Sequence, residues 1–308
     1  MRTNEGTPEQ MARIIAREEG MQALIPVITK ELYHYAILST MREEGYLDRL
    51  VFQGGTSLRL CHGSPRYSED LDFAGGRDFS LESFTAMGEA IERRLASLSP
   101  GSSIAIRTPK PEGMVSRWRI RIRTALHTKD MPSQIIKLEV AAVPAYDPVP
   151  ATVEVNYRRL YGLFDRIPIT VESLDEIMAD KMLSYVAANH LRYRDLWDMG
   201  WIGAKRLSDR SNVWDVLDRK QDDYSERPDW ASRLSGDRSI PAALRSRAFR
   251  DELARFIEPA AIGPTVGDEA WRRAIADELE TLYGEYITHT QNRMGPATGF
   301  AQETGRAR

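Results

Sequence analysis

Apolar positions in the first part of the chain recur at steps of three and four residues, which is the spacing of an amphipathic helix. Residues 5–48 are therefore predicted to be mostly helical, with Thr7 as the N-cap, Pro8 at the first helical position and Gln10 closing a capping box. Near residue 50 the period changes, because "LVFQGG" and "LDFAGG" are short apolar runs that end in glycines. Residues 50–75 are thus predicted to form a strand, a turn, a short helix, a loop and a strand.

The middle of the chain switches between the two periods. An amphipathic helix is predicted from Ser80 to the break at Pro100, followed by two strands, "SRWRIRIRTAL" and "SQIIKLEVAAV", which the turn-rich "HTKDMP" joins. These two strands are expected to form a hairpin beside the first two. After about residue 172 the pattern is helical, with Ser173 as an N-cap, and no further strand is expected.

Together these elements predict an α/β (α+β) protein in which a mixed sheet is flanked by helices and followed by an all-helical C-terminal half. The predicted division is an α/β domain with N-terminal helices over residues 1–165, a helical domain over residues 166–290, and a flexible polar tail over residues 291–308.

Composition narrows the class of protein. The 42 Lys and Arg residues against 45 Asp and Glu leave a net charge of −3, so a polyanionic partner can be argued only from a local patch. The single cysteine, Cys61, excludes an intramolecular disulfide and a cysteine-based zinc cluster. No stretch resembles a membrane span or a secretory leader. We therefore expect a cytoplasmic, monomeric protein with no membrane partner.

Two glycines end the first predicted strand and lead directly into a helix at Thr56. A helix N-terminus that is free of Cβ atoms presents unpaired backbone N–H groups and the positive end of the helix dipole, which suits a phosphate group. The pair Gly54 and Gly55 therefore indicates a phosphate-binding turn. The alternative is a tight strand-to-helix connection that needs glycine only for its backbone shape.

Two aspartates follow at the second predicted strand. Alternation along a strand places Asp70 and Asp72 on one face, while Leu71 and Phe73 point into the core. Carboxylates this close raise each other's pKa unless a cation lies between them, and oxygen ligands favour Mg²⁺, with Mn²⁺ as a substitute. Glu139 completes a three-carboxylate cluster if its strand lies nearby. The alternatives are a solvated edge strand for the pair and simple pairing with neighbours for Glu139.

The stretch "RWRIRIRT" alternates arginine with apolar residues, which predicts a row of arginines on one strand face: Arg117, Arg119, Arg121 and Arg123. Such a row suits the phosphates of a nucleotide or of an RNA backbone, or it is a solvated outer face. Arg66, just ahead of the acid pair, is a further candidate for the same positive region.

The motifs "FQGGTSLRL…RYSEDLDF", "IIKLEV" and "DEIMADKMLSY…RYRDLWDM" resemble the AbiEii/AbiGii-type, MenT-like nucleotidyltransferase toxins, which are abortive-infection toxins of the DNA-polymerase-β-like superfamily. The resemblance spans residues 50–202. It implies an enzyme that uses Mg²⁺ and a nucleoside triphosphate (ATP, GTP, CTP or UTP) to modify the 3′ acceptor end of tRNA. It also implies a cognate antitoxin as partner. The spacer from Gly55 to Asp70 is longer than in many polymerase-like transferases.

Carried over to this sequence, the resemblance assigns triphosphate binding to Gly55 and Ser57, metal binding to Asp70 and Asp72, and phosphate neutralisation to Lys181. With the arguments above, the candidate site comprises catalytic residues Asp70, Asp72, Lys181 and Asp195, nucleotide-binding residues Gly55, Thr56, Ser57, Arg66 and Lys181, and metal ligands Asp70, Asp72 and Glu139.

The later residues also have physical interpretations of their own. Lys181 interrupts an apolar helix stripe, so its charge needs a partner, unless its side chain reaches solvent. Asp195 and Asp198 lie three positions apart on the next helix, and the alternative to a catalytic role is pairing with Arg192 and Arg194.

Three functions stay open at this point. The first is a toxin that adds nucleotides to the 3′ end of tRNA and so blocks aminoacylation. The second is nucleotidylation or phosphorylation of a protein hydroxyl. The third is a non-enzymatic module that binds metal and nucleotide without turnover.

Overall fold

The computed structural model describes residues 6–110, 113–123, 133–162, 166–205 and 210–294. Within them seven strands form one sheet: β1 Val51–Gln53, β2 Leu71–Ala74, β3 Ser103–Arg107, β4 Val115–Arg123, β5 Gln134–Ala141, β6 Pro148–Val153 and β7 Ile167–Glu172.

The same residues contain the α-helices α1 Pro8–Glu19, α2 Ile25–Glu43, α3 Gly54–Cys61, α4 Met87–Leu98, α5 Leu174–Ala187, α6 Tyr193–Lys205, α7 Ser211–Tyr224, α8 Trp230–Ser235, α9 Ile240–Arg245, α10 Arg247–Leu253, α11 Pro259–Ile262 and α12 Glu269–Met294. Short 3₁₀ helices lie at Gln22–Leu24, Tyr46–Arg49, Leu81–Phe84 and Arg158–Leu160. None of the described helices is long and apolar enough to cross a bilayer.

The predicted helix starts at Thr7 and Ser173 are confirmed. The Thr7 N–H donates to Gln10 Oε1 at 2.9 Å, and the Gln10 N–H donates to Thr7 Oγ1 at 3.4 Å, which completes the capping box of α1. Ser173 Oγ accepts from the Glu176 N–H at 3.1 Å and caps α5.

The sheet is mixed, with the strand order β3-β4-β5-β2-β1-β7-β6. Strands β2 and β5 run parallel, as do β1 and β7, and the other neighbouring pairs are antiparallel. Strands β4 and β5 are the predicted hairpin partners, and β5 lies beside β2 as expected. The predicted fold class is therefore confirmed.

The buried apolar residues form two hydrophobic cores. The first packs α1, α2 and α4 against one face of the sheet, where it includes Phe52, Leu71 and Phe73. The second lies among the helices that follow β7. Helix α3 takes part in both, because Leu60 belongs to the first core and Leu58 to the second. The glycine turn that precedes α3 therefore sits where the two cores meet.

Strands β3, β6 and β7 are absent from the sequence-based prediction. Strand β6 contains Pro148 and Pro150, which are tolerated because β6 lies at the edge of the sheet. Strand β7 contains Pro168, and its first half has β6 as its only neighbour because β1 pairs with it only at Val171. The short edge strand β3 follows the Pro100 break directly.

Three predicted boundaries also differ. The division at residue 165 places β7 in the helical domain, whereas β7 belongs to the sheet. The helix predicted from Ser80 begins as a 3₁₀ turn, and α4 starts only at Met87. Helix α12 continues through Gln291 to Met294, where a tail was expected. The rest of that tail, from residue 295, and the turn over residues 127–132 lie outside the described residues.

Candidate active site

Gly54 and Gly55 lie at the junction of β1 and α3, where the chain turns directly from strand to helix. Gly54 has a φ of 78°, and a Cβ atom there would lie 2.8 Å from Asp72 Oδ2. A Cβ atom on Gly55 would lie 2.5 Å from Arg66 Nη2 and 2.9 Å from Ser68 Oγ. These separations are shorter than ordinary Cβ contacts, so a side chain at either position would displace Asp72, Arg66 or Ser68 from its present place.

Asp72 lies at the centre of a row of polar side chains that crosses the sheet. In register with it are Gln53 on β1 and Glu139 on β5. Burial, and then the negative charges of Glu139 and Asp70, raise the pKa of Asp72 to about 7, against a smaller opposing effect of Lys181. The predicted crowding of carboxylates is thus present in the folded chain.

Asp70 and Glu139 each have a cationic partner. Asp70 accepts from the backbone N–H of Lys137 at 3.0 Å and from Lys137 Nζ at 3.1 Å. Arg117 donates to the two carboxylate oxygens of Glu139 at 2.5 and 3.2 Å. Within the residues that the structure describes, no three His, Cys, Asp or Glu side chains come close enough to hold a metal ion jointly. A ligand role for Glu139 therefore stays a prediction.

A buried ion-pair network joins helices α5 and α6. Lys181 Nζ is 2.7 Å from Asp195 Oδ1 and 3.0 Å from Asp198 Oδ2. Arg66 donates to both oxygens of Asp198, at 2.6 and 2.7 Å, and Arg192 donates to Asp195. The expectation that the charge of Lys181 has a partner is confirmed, and the alternative in which it reaches solvent is wrong, because the residue is buried.

The network favours the charged forms of Lys181 and Asp195. Burial opposes the charge of Lys181, but the carboxylates of Asp195 and Asp198 outweigh it and raise the pKa of Lys181. Burial likewise opposes the charge of Asp195, but Lys181 and Arg192 lower its pKa. Of the two arginines predicted as alternative partners, Arg192 pairs with Asp195, whereas Arg194 lies near Glu69 and Glu252.

A cleft of about 550 Å³ lies between the glycine turn and helix α5. Gly54, Gly55 and Asp72 line one side, and Lys181 and Arg192 line the other. The volume is that of a site for a small organic ligand. A carboxylate and free helix N–H groups thus face two cations across a space of nucleotide size.

Other predicted nucleotide-binding residues are placed behind the turn. The Thr56 hydroxyl donates to the backbone oxygen of Asp70, and the Ser57 hydroxyl donates to the backbone oxygen of Gly54 at 2.9 Å. Both residues are buried, and Arg66 is 2 % exposed with its guanidinium on Asp198. In this structure these three side chains brace the turn and do not line the cleft.

A family model for the nucleotidyltransferase AbiEii toxin of type IV toxin-antitoxin systems matches residues 36–282. The chain belongs to this family. The resemblance deduced from the sequence motifs is therefore confirmed, and the protein is a nucleotidyltransferase toxin of the AbiEii type.

The chain is also similar to solved structures. MenT4, a nucleotidyltransferase toxin from Mycobacterium tuberculosis H37Rv, is 21 % identical and superposes with a TM-score of 0.59 over 86 % of this chain and 87 % of that one. JHP933 from Helicobacter pylori is 20 % identical, with a TM-score of 0.43 over 88 % of this chain and 98 % of that one. The likeness to MenT4 shows a shared fold. Curated proteins give no significant match.

The residues of this AbiEii-family toxin fit a divalent cation. Asp70 and Asp72 offer only oxygen atoms, and the pKa of Asp72 is raised by burial and then by the carboxylates of Glu139 and Asp70, effects that a bound dication opposes. Mg²⁺ binds through one or two carboxylates and takes its other ligands from water and phosphate, so two acids are enough.

Sequence reasoning missed two features of this toxin. Arg192 was considered only as a partner of Asp195, although it also lines the cleft. It precedes α6 in an irregular segment, where no periodicity marks its direction. Lys137 was not considered as a partner of the acid pair, and the parallel pairing of β2 with β5 places it against Asp70.

Proposed function

We propose that this AbiEii-family toxin is a Mg²⁺-dependent nucleotidyltransferase that transfers a nucleotide from a nucleoside triphosphate to the 3′ hydroxyl of tRNA, which blocks aminoacylation and translation. The observation that supports this most is the contact between Gly54 and Asp72 at the mouth of a cleft whose far side carries Lys181 and Arg192. A cognate antitoxin is part of the proposal, because the family is the toxin component of type IV systems.

Each part of the cleft has a role in this reaction. The free N–H groups at the start of α3, together with Lys181 and Arg192, bind the triphosphate oxygens. Asp70 and Asp72 would hold a Mg²⁺ ion, which would supply Lewis-acid stabilisation of the negative charge on the phosphates. The acceptor oxygen bonds to the α-phosphorus, and the bond between the α- and β-phosphates breaks to release pyrophosphate. The hydroxyl proton passes to one of the neighbouring carboxylates, Asp72 or Glu139.

The test is incubation of the purified toxin with Mg²⁺, each labelled nucleoside triphosphate in turn, and total tRNA. We expect label on RNA, and none with Asp70→Asn or Asp72→Asn. Glu269→Gln is the matched control, because this carboxylate is 73 % exposed on α12 and pairs only with its helix neighbour Arg273. If the unaltered toxin leaves RNA unlabelled with every nucleotide, the proposal is overturned.

The same assay separates the two other functions. Label on a protein band and none on RNA means that a protein hydroxyl is the acceptor. A toxin that still arrests growth as Asp72→Asn acts by binding, because this change removes the proposed metal ligand while keeping the size of the side chain.

A further inference from the structure

One face of the sheet next to the cleft is lined with cations. We name it the basic face, and it consists of Arg107 on β3, Arg117, Arg119, Arg121 and Arg123 on β4, and Lys137 on β5. All six residues are exposed, whereas the alternate residues of β4, such as Trp118 and Ile120, are buried in the first core. The row predicted from the sequence is therefore a real surface that extends over three strands.

Like charges lie directly opposite each other on this face. Arg119 is in register with Arg107 on one side and with Lys137 on the other. Like charges in such cross-strand positions destabilise a sheet. Lys137 is balanced by Asp70 at 3.1 Å. Arg117 is paired with Glu139. Within the described residues, no ion pair is present at the remaining members of the face: Arg107, Arg119, Arg121 and Arg123. A polyanion bound to this face would supply the missing negative charge.

The arginines are regularly spaced on the sheet and extend towards Glu139 and Asp72. Neighbouring strands lie about 4.8 Å apart, and alternate residues along a strand about 6.7 Å apart. Arg107, Arg119 and Arg121 line a concavity of about 330 Å³ on this face. Strand β4 is separated from β2 only by β5, so Arg119 lies roughly 10 Å from the strand that carries Asp72.

We propose that the basic face binds the phosphate backbone of an RNA whose 3′ end reaches the cleft. The identity of this RNA as the acceptor rests on the proposed function, whereas backbone binding by the face does not. The rest of the chain carries a net negative charge, because the total is −3 while this face contributes six cations. The face is therefore the part of the surface that attracts a polyanion.

The composition of the face favours RNA over an acidic protein. Interfaces between proteins have an apolar or aromatic centre, whereas interfaces with nucleic acids are polar and positively charged. The outward positions of β3 before Arg107 hold Ser103 and Ala105, which are too small to anchor a protein partner. Arginine also binds phosphate through two parallel hydrogen bonds.

The experiment measures the binding of fluorescent total tRNA to the full-length toxin at several NaCl concentrations. We expect the double variant Arg119→Gln/Arg121→Gln to bind at least tenfold more weakly, with a salt dependence whose slope is lower by about two, since each lost phosphate contact removes about one unit. In the transfer assay, KM for RNA rises while kcat and KM for the nucleotide do not change. Arg119→Lys/Arg121→Lys retains most of the affinity.

The matched control removes the same charge elsewhere. Arg247 and Arg273 are 87 % and 70 % exposed on α10 and α12, each paired with a carboxylate one turn away. Arg247→Gln/Arg273→Gln is expected to bind RNA as the unaltered toxin does. Thermal unfolding of both double variants verifies that they are folded.

Equal RNA affinity of the Arg119→Gln/Arg121→Gln variant and its control overturns the inference. So does a variant that keeps its RNA affinity but no longer binds the antitoxin, because the face then serves a protein. If the variant loses RNA affinity while the unaltered toxin never labels RNA, the inference stands and the proposed acceptor is wrong. If RNA is labelled and the variant binds it normally, the proposed function stands without the basic face.

Discussion

The close approach of Gly54 to Asp72 allows a sharp test of the site. In Gly54→Ala the new Cβ atom would lie 2.8 Å from Asp72 Oδ2, whereas an ordinary contact begins near 3.4 Å. The carboxylate or the turn must therefore move by about 0.6 Å. Alanine at a φ of 78° also costs about 1 kcal/mol of stability, because its Cβ crowds the backbone in the left-handed region.

Gly63→Ala is the control for the backbone cost alone. Gly63 has the same φ of 78°, but a Cβ atom there meets nothing within 4 Å. We expect both variants to lose about 1 kcal/mol in urea denaturation. Only Gly54→Ala should lose activity, by ten- to a hundredfold, because displacements of this size at a reacting group have such effects.

The assay is transfer of labelled nucleotide, with Mn²⁺ binding followed by electron paramagnetic resonance as a second measurement. Gly54→Ala should weaken Mn²⁺ binding, whereas Gly63→Ala should leave it unchanged. Equal transfer rates and equal Mn²⁺ affinities in the two variants would refute the argument that Gly54 is needed to position Asp72.

Four further results are expected. Asp198→Asn should lower the free energy of unfolding by about 3 kcal/mol, since it leaves Arg66 and Lys181 buried with one carboxylate fewer, whereas the exposed Asp251→Asn should change it little in the same denaturation experiment. Because the pKa of Asp72 rises from 3.8 to about 7 on folding, its contribution to the stability of the metal-free protein should fall as the pH rises from 4 to 7, as the difference in thermal unfolding between the unaltered toxin and Asp72→Asn at a series of pH values would show. For the same reason Mg²⁺ binding should release about one proton at pH 6 and almost none at pH 8, measured by calorimetry in two buffers. Lys181→Ala should raise KM for the nucleotide as well as destabilise the fold, and unchanged steady-state kinetics would contradict its place in the cleft.

The parts of the fold that the sequence reveals are those with an uninterrupted period. The hairpin of β4 and β5 has a clear alternation over most of its length, and the capping box at Thr7 is complete in four residues. The strands that were missed are irregular in composition. Pro150 and Pro168 argue against a strand locally, and only the positions of β6 and β7 in the sheet make them acceptable.

The candidate site likewise contains features that the sequence predicts and features that it does not. The glycine pair and Asp72 are joined by local geometry, since the short strands β1 and β2 are neighbours, so a motif predicts their proximity. Partners that are distant in sequence are a different matter. Nothing in a single sequence indicates that Arg66 pairs with a residue 132 positions away, and this contact is what places Arg66 behind the turn and away from the cleft.

The contact between Arg66 and Asp198 belongs to a buried network of charges that orients cations beside the cleft. Arg66, Lys181 and Arg192 carry three positive charges against the two carboxylates of Asp195 and Asp198, which leaves one positive charge in excess. Lys181 and Arg192 are the members that line the cleft, so two cations of the network face the space where triphosphate oxygens are proposed to bind. The two aspartates hold these cations in position before a nucleotide arrives, and a site whose charges are already oriented loses little free energy in ordering them on binding.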